Sequence, residues 1–227
     1  MIKLTWLSHA SWLIETVTHK ILLDPFFADN PKANVTADDF ADVTHVLVSH
    51  GHFDHVGDVG SVIAKSGAKL IAIFEIAQWF NQNHGVEDPI GMNLGGTVSV
   101  GDATITMVPA LHSSGLPDGS YGGSAAGFLL RLEDRRIYFA CDTAFFSDMK
   151  WYAGGCDVAV LPIGDLFTMG PESSVEAVKI IEPRVVLPSH YGTWPPIEQD
   201  AEHWGTLVSS ETDSRPVVLQ VGETYQV

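Results

Sequence analysis

The chain has 227 residues, 45% of them hydrophobic, with 28 Asp and Glu against 12 Lys and Arg and a formal net charge of −16. A chain of this length and apolar content can bury a substantial core without disulfides, which sets it apart from disordered and disulfide-scaffold proteins. Its basic residues are scattered, Arg135-Arg136 being the only adjacent pair, and this excludes a surface built to grip a nucleic-acid backbone, which takes clustered Lys and Arg.

Met1-Ile2-Lys3-Leu4-Thr5 runs straight into a strand pattern rather than a signal peptide, and no stretch approaches the roughly eighteen uninterrupted apolar residues of a spanning helix. A cytoplasmic protein without membrane contact is expected. Lys3 to Leu7, Ser11 to Thr16 and Lys20 to Leu23 are short β-type runs parted by turn-like breaks, an antiparallel meander. Val46-Leu47-Val48 is an apolar strand leading into Ser49-His50-Gly51-His52-Phe53-Asp54-His55. A helix is predicted over His55 to Lys65, a strand over Lys69 to Ile73, and a helix over Glu75 to Asn83 ending near Gly85. Thr97 to Val100 and Ala103 to Val108 suit a hairpin around Gly101-Asp102. Ser113 to Gly127 holds five glycines among small polar residues and reads as a lid with Tyr121 over a substrate, or as an ordinary surface loop. Strands Ala126 to Leu132 and Arg136 to Cys141, a helix near Phe145 to Ala153 and strand Val158 to Leu161 follow. Pro171-Glu172 opens a helix that runs through Ile181 and stops before Pro183. Strand Arg184 to Leu187, helix Ile197 to Ser209 and strand Pro216 to Leu219 close the chain. The alternation predicts an α/β (α+β) fold, two sheets with outer helices, in one domain over 1–227. The two halves are loosely alike in element order, without a sequence repeat. Cys141 and Cys156 read as core thiols.

The run from His50 to His55 puts three imidazoles and a carboxylate, all good donors for a divalent cation, within six positions. In an extended segment alternate side chains share a face, so His50 and His52 can grip one ion while Asp54 and His55, past the turn, face a second. Without a cation such a cluster would forfeit solvation for nothing in return. Three further apolar stretches each run into one metal-type residue: Thr104 to Leu111 into His112, Arg136 to Cys141 into Asp142, and Arg184 to Ser189 into His190. In open α/β sheets sites gather beyond the strand ends at one edge. The expected assignment is His50, His52 and His112 on one ion, Asp54, His55 and His190 on the other, with Asp142 between them. Each ion then keeps a position for water or substrate, the mark of a catalytic site. An N/O donor set accepts zinc foremost, with manganese or iron as alternatives. Cations roughly 3.5 to 4 Å apart would share a water, hold it as hydroxide and polarise the substrate.

The run His50-Gly51-His52-Phe53-Asp54-His55, followed in order by His112, Asp142 and His190, resembles the metallo-β-lactamase superfamily of binuclear hydrolases. Leu7-Ser8-His9-Ala10-Ser11, Leu22-Leu23-Asp24-Pro25-Phe26, Ala140-Cys141-Asp142-Thr143, Thr168-Met169-Gly170-Pro171-Glu172 and Pro188-Ser189-His190-Tyr191-Gly192-Thr193 resemble its compact metal-dependent hydrolase subgroup, related to a sugar-phosphate lactonase branch. The resemblance covers nearly the whole chain and implies the four-layer αβ/βα sandwich with metals at one edge. It implies hydrolysis of a small ester, lactone or phosphodiester. Catalytic roles fall to Asp54, which orients the hydroxide as well as binding metal, and to His9, which orients a ligand or meets substrate. Asp24 is a candidate to fix a metal-bound His, with turn capping as the rival role. Thr143 and Thr168 could steady the bridging carboxylate or satisfy backbone, and Trp194 could wall the pocket. His19, His45, His84 and His203 lack ligand company. A redox diiron protein, the alternative of another class, usually carries a carboxylate where His52 stands and needs a flavin domain for which this chain has no room. A noncatalytic metal-binding relative would have lost ligands that are all present here. Assembly into homo-oligomers is left open.

Overall fold

The computed structural model describes residues 1–227 and consists of two seven-stranded mixed sheets flanked by helices. The first sheet takes β1 (Lys3–Trp6), β2 (Trp12–Glu15), β3 (Lys20–Leu23), β4 (His45–Val48), β5 (Lys69–Ile73) and β6 (Ile90–Met92), with helices α1 (Phe53–Val56), α2 (Val59–Ser66) and α3 (Phe74–His84) in its connections. The second takes β7 (Thr97–Val100), β8 (Ala103–Pro109), β9 (Ala126–Leu132), β10 (Arg135–Phe139), β11 (Val158–Pro162), β12 (Val185–Ser189) and β13 (Arg215–Pro216), with α4 (Met149–Ala153), α5 (Pro171–Ile181) and α6 (Ala201–Glu211). The last strand, β14 (Thr224–Gln226), crosses back to pair antiparallel with β1. Each sheet then has the same plan. β14-β1-β2-β3 and β7-β8-β9-β10 are antiparallel, while β3-β4-β5-β6 and β10-β11-β12-β13 are parallel. The loose likeness of the halves is thus a repeated strand plan.

Strand alternation places the core. On β9 and β10, Phe128, Leu130, Leu132, Ile137 and Phe139 join Leu4, Ile14 and Val46 of the other sheet in one apolar cluster. Their neighbours Leu129, Tyr138 and Ala140 turn to the other face and pack with Val178 of α5 and Trp204 of α6. One period-two pattern therefore feeds both the layer between the sheets and the helix-covered layer outside. No helix is long and apolar enough to cross a membrane.

Several segments differ from expectation, among them the helix expected over Ile197 to Ser209, which runs over Ala201–Glu211 from its N-cap Asp200. The helix predicted over His55 to Lys65 is split into α1 and α2, because Asp58 leaves the helix (φ −106°, ψ 3°) and its Oδ2 accepts from the backbone N–H groups of Phe27 and Ala28, at 2.6 and 3.1 Å. The helix expected from Phe145 begins only at Met149, since Ser147 and Asp148 form turns and Asp148 stands at the N-cap. The closing strand shrinks to Arg215–Pro216 at the edge of its sheet, where Arg215 and Val217 donate to Arg184 O and Val186 O and the nitrogen of Pro216 faces away from β12. β6 and β14, each three residues long, have too little pattern to be read and exist through pairing with β5 and β1.

Candidate metal centre

The parallel strands β3, β4, β10, β11 and β12 all end at the same edge. Each site residue lies just beyond a strand: His9 after β1, Asp24 after β3, His50 to His55 after β4, His112 after β8, Asp142 after β10 and His190 after β12. The chain turns sharply at these junctions, with left-handed backbone at His9 (φ 53°), Asp24 (φ 46°), Cys141 (φ 54°) and His190 (φ 54°). L-residues rarely adopt that conformation, and surroundings that over-determine it are typical of functional sites. Packing leaves little room for a side chain at Gly51 and none at Gly164. A Cβ on Gly51 would lie 3.2 Å from Leu116 Cγ, and one on Gly164 would collide with the carbonyl of His190.

The metal-type side chains converge. His52, extended at the N-cap of α1 (φ −67°, ψ 150°), turns Nδ1 to within 3.0 Å of His50 Nε2 and 3.3 Å of His112 Nε2. Two nitrogens bound tetrahedrally to one zinc-sized ion lie about 3.3 Å apart, so this trio has cation-binding geometry. The donor atoms of His9, Asp54, His55 and His190 form a second group, all within 4.8 Å of one another. Asp142 Oδ2 lies between the groups, 3.9 Å from His50 Nε2 and 3.7 Å from His112 Nε2 on one side, 3.4 Å from His55 Nε2 and 3.0 Å from His190 Nε2 on the other. Although that last distance suits a hydrogen bond, its angles do not, and His190 Nε2, His55 Nε2 and Asp142 Oδ1 are buried without hydrogen-bond partners. Buried polar atoms are normally satisfied. A set of them aimed at common points in an N/O cluster fits divalent cations.

Outer partners fix the rings. Asp24, fully buried, accepts from Ser49 N–H at 2.8 Å and Ser49 Oγ at 2.6 Å, and its Oδ2 faces His55 Nδ1 at 2.8 Å, which leaves His55 Nε2 to face the cluster. Ser49 Oγ also meets His50 Nδ1 at 2.9 Å. His9, fully buried, bridges Thr193 Oγ1 (2.9 Å, from Nδ1) and Asp54 Oδ2 (3.0 Å, from Nε2). Its carbonyl accepts from Trp6 Nε1, His190 N–H and Ser189 Oγ, which stitches the two sheets together at the site. This is the geometry of orienting Asp54 rather than of meeting substrate.

Electrostatics follow from burial and charge. Burial holds the imidazoles of His50, His52 and His112 below their usual range, and burial with His190 nearby lowers His9 to about 4. Burial would lower His55 and His190 too. On His55 the carboxylates of Asp142, Asp24 and Asp54 outweigh it and raise the ring well above its usual range; on His190, Asp142 and Asp54 raise it to about 9. Burial would raise the carboxyls of Asp54 and Asp142, but the facing imidazoles hold both well below the carboxylate range. The carboxylates remain ionised, and in the metal-free protein protons on His55 and His190 balance them.

A cleft of about 680 Å³ opens onto this cluster, walled by Phe53, Leu116, Pro117, Phe167 and Trp194 beside His52, Asp54, His112, Asp142 and His190. Trp194, for which the sequence leaves an ordinary partly buried position equally open, is one of these walls. Tyr121 is not: it is 72% exposed and absent from the cleft lining, where Leu116 and Pro117 of the same loop stand instead. That loop is tied down. Ser114 Oγ accepts from Gly51 N–H and donates to Gly122 O, and Leu116 is buried in the core. Thr143 serves backbone, accepting from Leu111 N–H and donating to Ala144 O, and Thr168 donates to Met169 O. Cys141 packs against the core, and burial pushes its thiol up. His19, His45, His84 and His203 stand outside the cluster. Sequence reasoning missed Thr193 and Ser49 as ring partners, and Phe53, Leu116 and Phe167 as walls. Ser49 adjoins His50 and Thr193 follows His190 by three residues, the one available signal, while wall residues depend on how loops fold.

A family model described as beta-lactamase superfamily domain matches residues 19–191. The chain is 43% identical over 231 residues to a metal-dependent hydrolase of Pyrococcus furiosus, with 100% of each covered. It is 44% identical over 230 residues to one of Methanopyrus kandleri, with 99% of each covered. Among solved structures, a metallo hydrolase from Ignicoccus hospitalis superposes with a TM-score of 0.88 at 31% identity, covering 100% of this chain and 99% of that one.

Proposed function

The chain belongs to the β-lactamase superfamily of metal-dependent hydrolases, and from that premise we propose that it cleaves a small ester, lactone or phosphodiester with two divalent cations held side by side. Zinc is the first candidate, with manganese and iron also compatible with imidazole and carboxylate donors. His50, His52 and His112 would hold one ion, Asp54, His55 and His190 the other, and Asp142 would bridge them. The observation that carries this reading is the position of Asp142 Oδ2, within 3.9 Å of ring nitrogens from both groups.

Bound cations lower the pKa of water toward neutrality and withdraw charge from the substrate's reacting oxygen. The protein's own groups set up the rest. Asp54, held ionised by His55, His190 and His9, orients the attacking water by accepting its hydrogen bond and is too weak a base to store a proton. His9 holds Asp54 in place through Nε2, with Thr193 fixing the ring from the other side. Phe53 and Trp194, whose rings lie 6.0 Å apart, narrow the cleft and limit water around the reacting group. The whole of residues 1–227 would serve as one catalytic domain on a small-molecule substrate.

Turnover of generic carboxylic esters, lactones and phosphodiesters by protein reconstituted with each metal tests the proposal. The parent should turn over at least one class only when metal-loaded. His52→Ala should reduce that rate more than about 100-fold, beyond the loss typical of an outer partner, and keep the far-UV circular dichroism of the parent. A fully loaded protein that hydrolyses no member of the panel contradicts the proposal.

A further inference from the structure

The cleft walls carry information about substrate that the metal-type residues do not. No Lys or Arg lines the cleft. Beyond the cluster a substrate meets Phe53, Leu116, Pro117, Phe167 and Trp194, with Gly115 and the hydroxyl of Ser113, which faces His52 Nε2 at 3.2 Å, as the remaining lining. Enzymes that select phosphate esters normally meet the non-reacting oxygens with guanidinium or ammonium groups; here those oxygens would be desolvated against apolar carbon in a molecule of net charge −16.

The wall formed by Phe167 is built at a cost in backbone strain. Residues 164–170 leave β11 and form a loop whose base is pinned: Met169 N–H donates to Thr143 O at 3.0 Å, and Asp165 N–H donates to Met169 O at 3.0 Å. At its tip, Asp165 (φ 59°) and Leu166 (φ 42°) are both left-handed, a conformation that a bulky side chain such as leucine rarely takes. The result is an apolar finger beside the cleft, with Leu166 67% and Phe167 56% exposed. Strain kept in order to hold large apolar groups in water, next to a reaction centre, points to a ligand that covers them.

We infer that the substrate is an uncharged carboxylic ester or lactone bearing an apolar group of several carbons, which packs against Phe53, Leu116, Phe167 and Trp194 with its carbonyl toward Asp54 and His190. The inference rests on the hydrolase reading above and narrows it. Water adds to the carbonyl carbon, and the bond from that carbon to the alkoxy oxygen breaks, its electron pair leaving on that oxygen. The oxygen takes up one proton and the acyl carbon keeps the hydroxyl. The products are an acid and an alcohol, or a single hydroxy acid from a lactone, with no redox partner.

The test compares p-nitrophenyl acetate, butyrate and hexanoate with the anionic bis-p-nitrophenyl phosphate, and unsubstituted with alkyl-substituted γ-lactones, on the metal-loaded full chain. kcat/KM should rise about tenfold from acetate to hexanoate, as partial burial of four methylenes implies, and the phosphodiester should be the poorer substrate. Phe167→Ala should flatten that rise through KM, whereas Tyr121→Ala, outside the cleft, should retain it. Calorimetry with uncharged N-alkylacetamides should show affinity increasing with alkyl length. Faster cleavage of the phosphodiester, or rates and affinities indifferent to chain length, overturns this inference while the metallohydrolase reading survives; no hydrolysis of any substrate overturns both.

Discussion

Asp24 carries more of the site than its distance from the substrate suggests, because a single buried carboxylate orders Ser49 and, through Nδ1, His55. Asp24→Asn substitutes an amide for one of the accepting oxygens, and should weaken zinc binding by about 10- to 100-fold, measured by chelator competition. An unchanged affinity would show that His55 needs no fixing. His9 is different in kind. His9→Ala removes the neutral ring hydrogen-bonded to the ionised Asp54, and loss of that charge-assisted bond together with the cavity left behind costs about 3 kcal/mol. A protein of this size should then melt roughly 6 to 12 °C lower in the metal-free state. The proposed ligands were legible because His50, His52, Asp54 and His55 crowd six positions and His112, Asp142 and His190 each end an apolar run. The sequence left Tyr121 open between a lid and an ordinary surface loop, because a loop's glycines reveal its freedom to turn and not the direction of its side chains.

Among the elements, strands carried the clearest pattern: Lys20–Leu23, Lys69–Ile73, Thr97–Val100 and Ala126–Leu132 have the bounds that alternation and turn residues predict. What failed depended on contacts far away in sequence. Asp58 splits a helix to cap the backbone at Phe27 and Ala28, and β14 owes its existence to β1, more than 200 residues earlier. The loop after β11 makes a separate prediction. A methyl group on Gly164 would strike the His190 carbonyl, so Gly164→Ala should displace His190 and weaken one ion by about tenfold or more. The group of His50, His52 and His112 should be spared. A cobalt titration followed by its visible absorption should show one equivalent bound as in the parent and the second weakened; equal weakening of both would mean that the loop does not act through His190.

In the molecule as a whole, seven side chains from opposite sheets meet because both sheets bring strand ends to one edge, which four apolar runs each ending at a metal-type residue made legible and the left-handed junction residues did not. The convergence also sets a pH dependence. In the metal-free protein His190 titrates near 9 and His55 above its ordinary value, so cations must displace their protons. Loading near pH 7.5 should release about two protons, measured by calorimetry in buffers of different ionisation enthalpy, and affinity should rise with pH until about 9. The sign for stability is opposite. The protonated His190 stabilises the metal-free fold fully below its ordinary 6.5, and that contribution is lost as pH rises through about 9. The most direct check on the central claim is elemental analysis joined to anomalous diffraction from zinc-reconstituted crystals. The account predicts two ions per chain, one at His50, His52 and His112 and one at Asp54, His55 and His190, both touching Asp142; a single ion, or two that do not share that carboxylate, would contradict it.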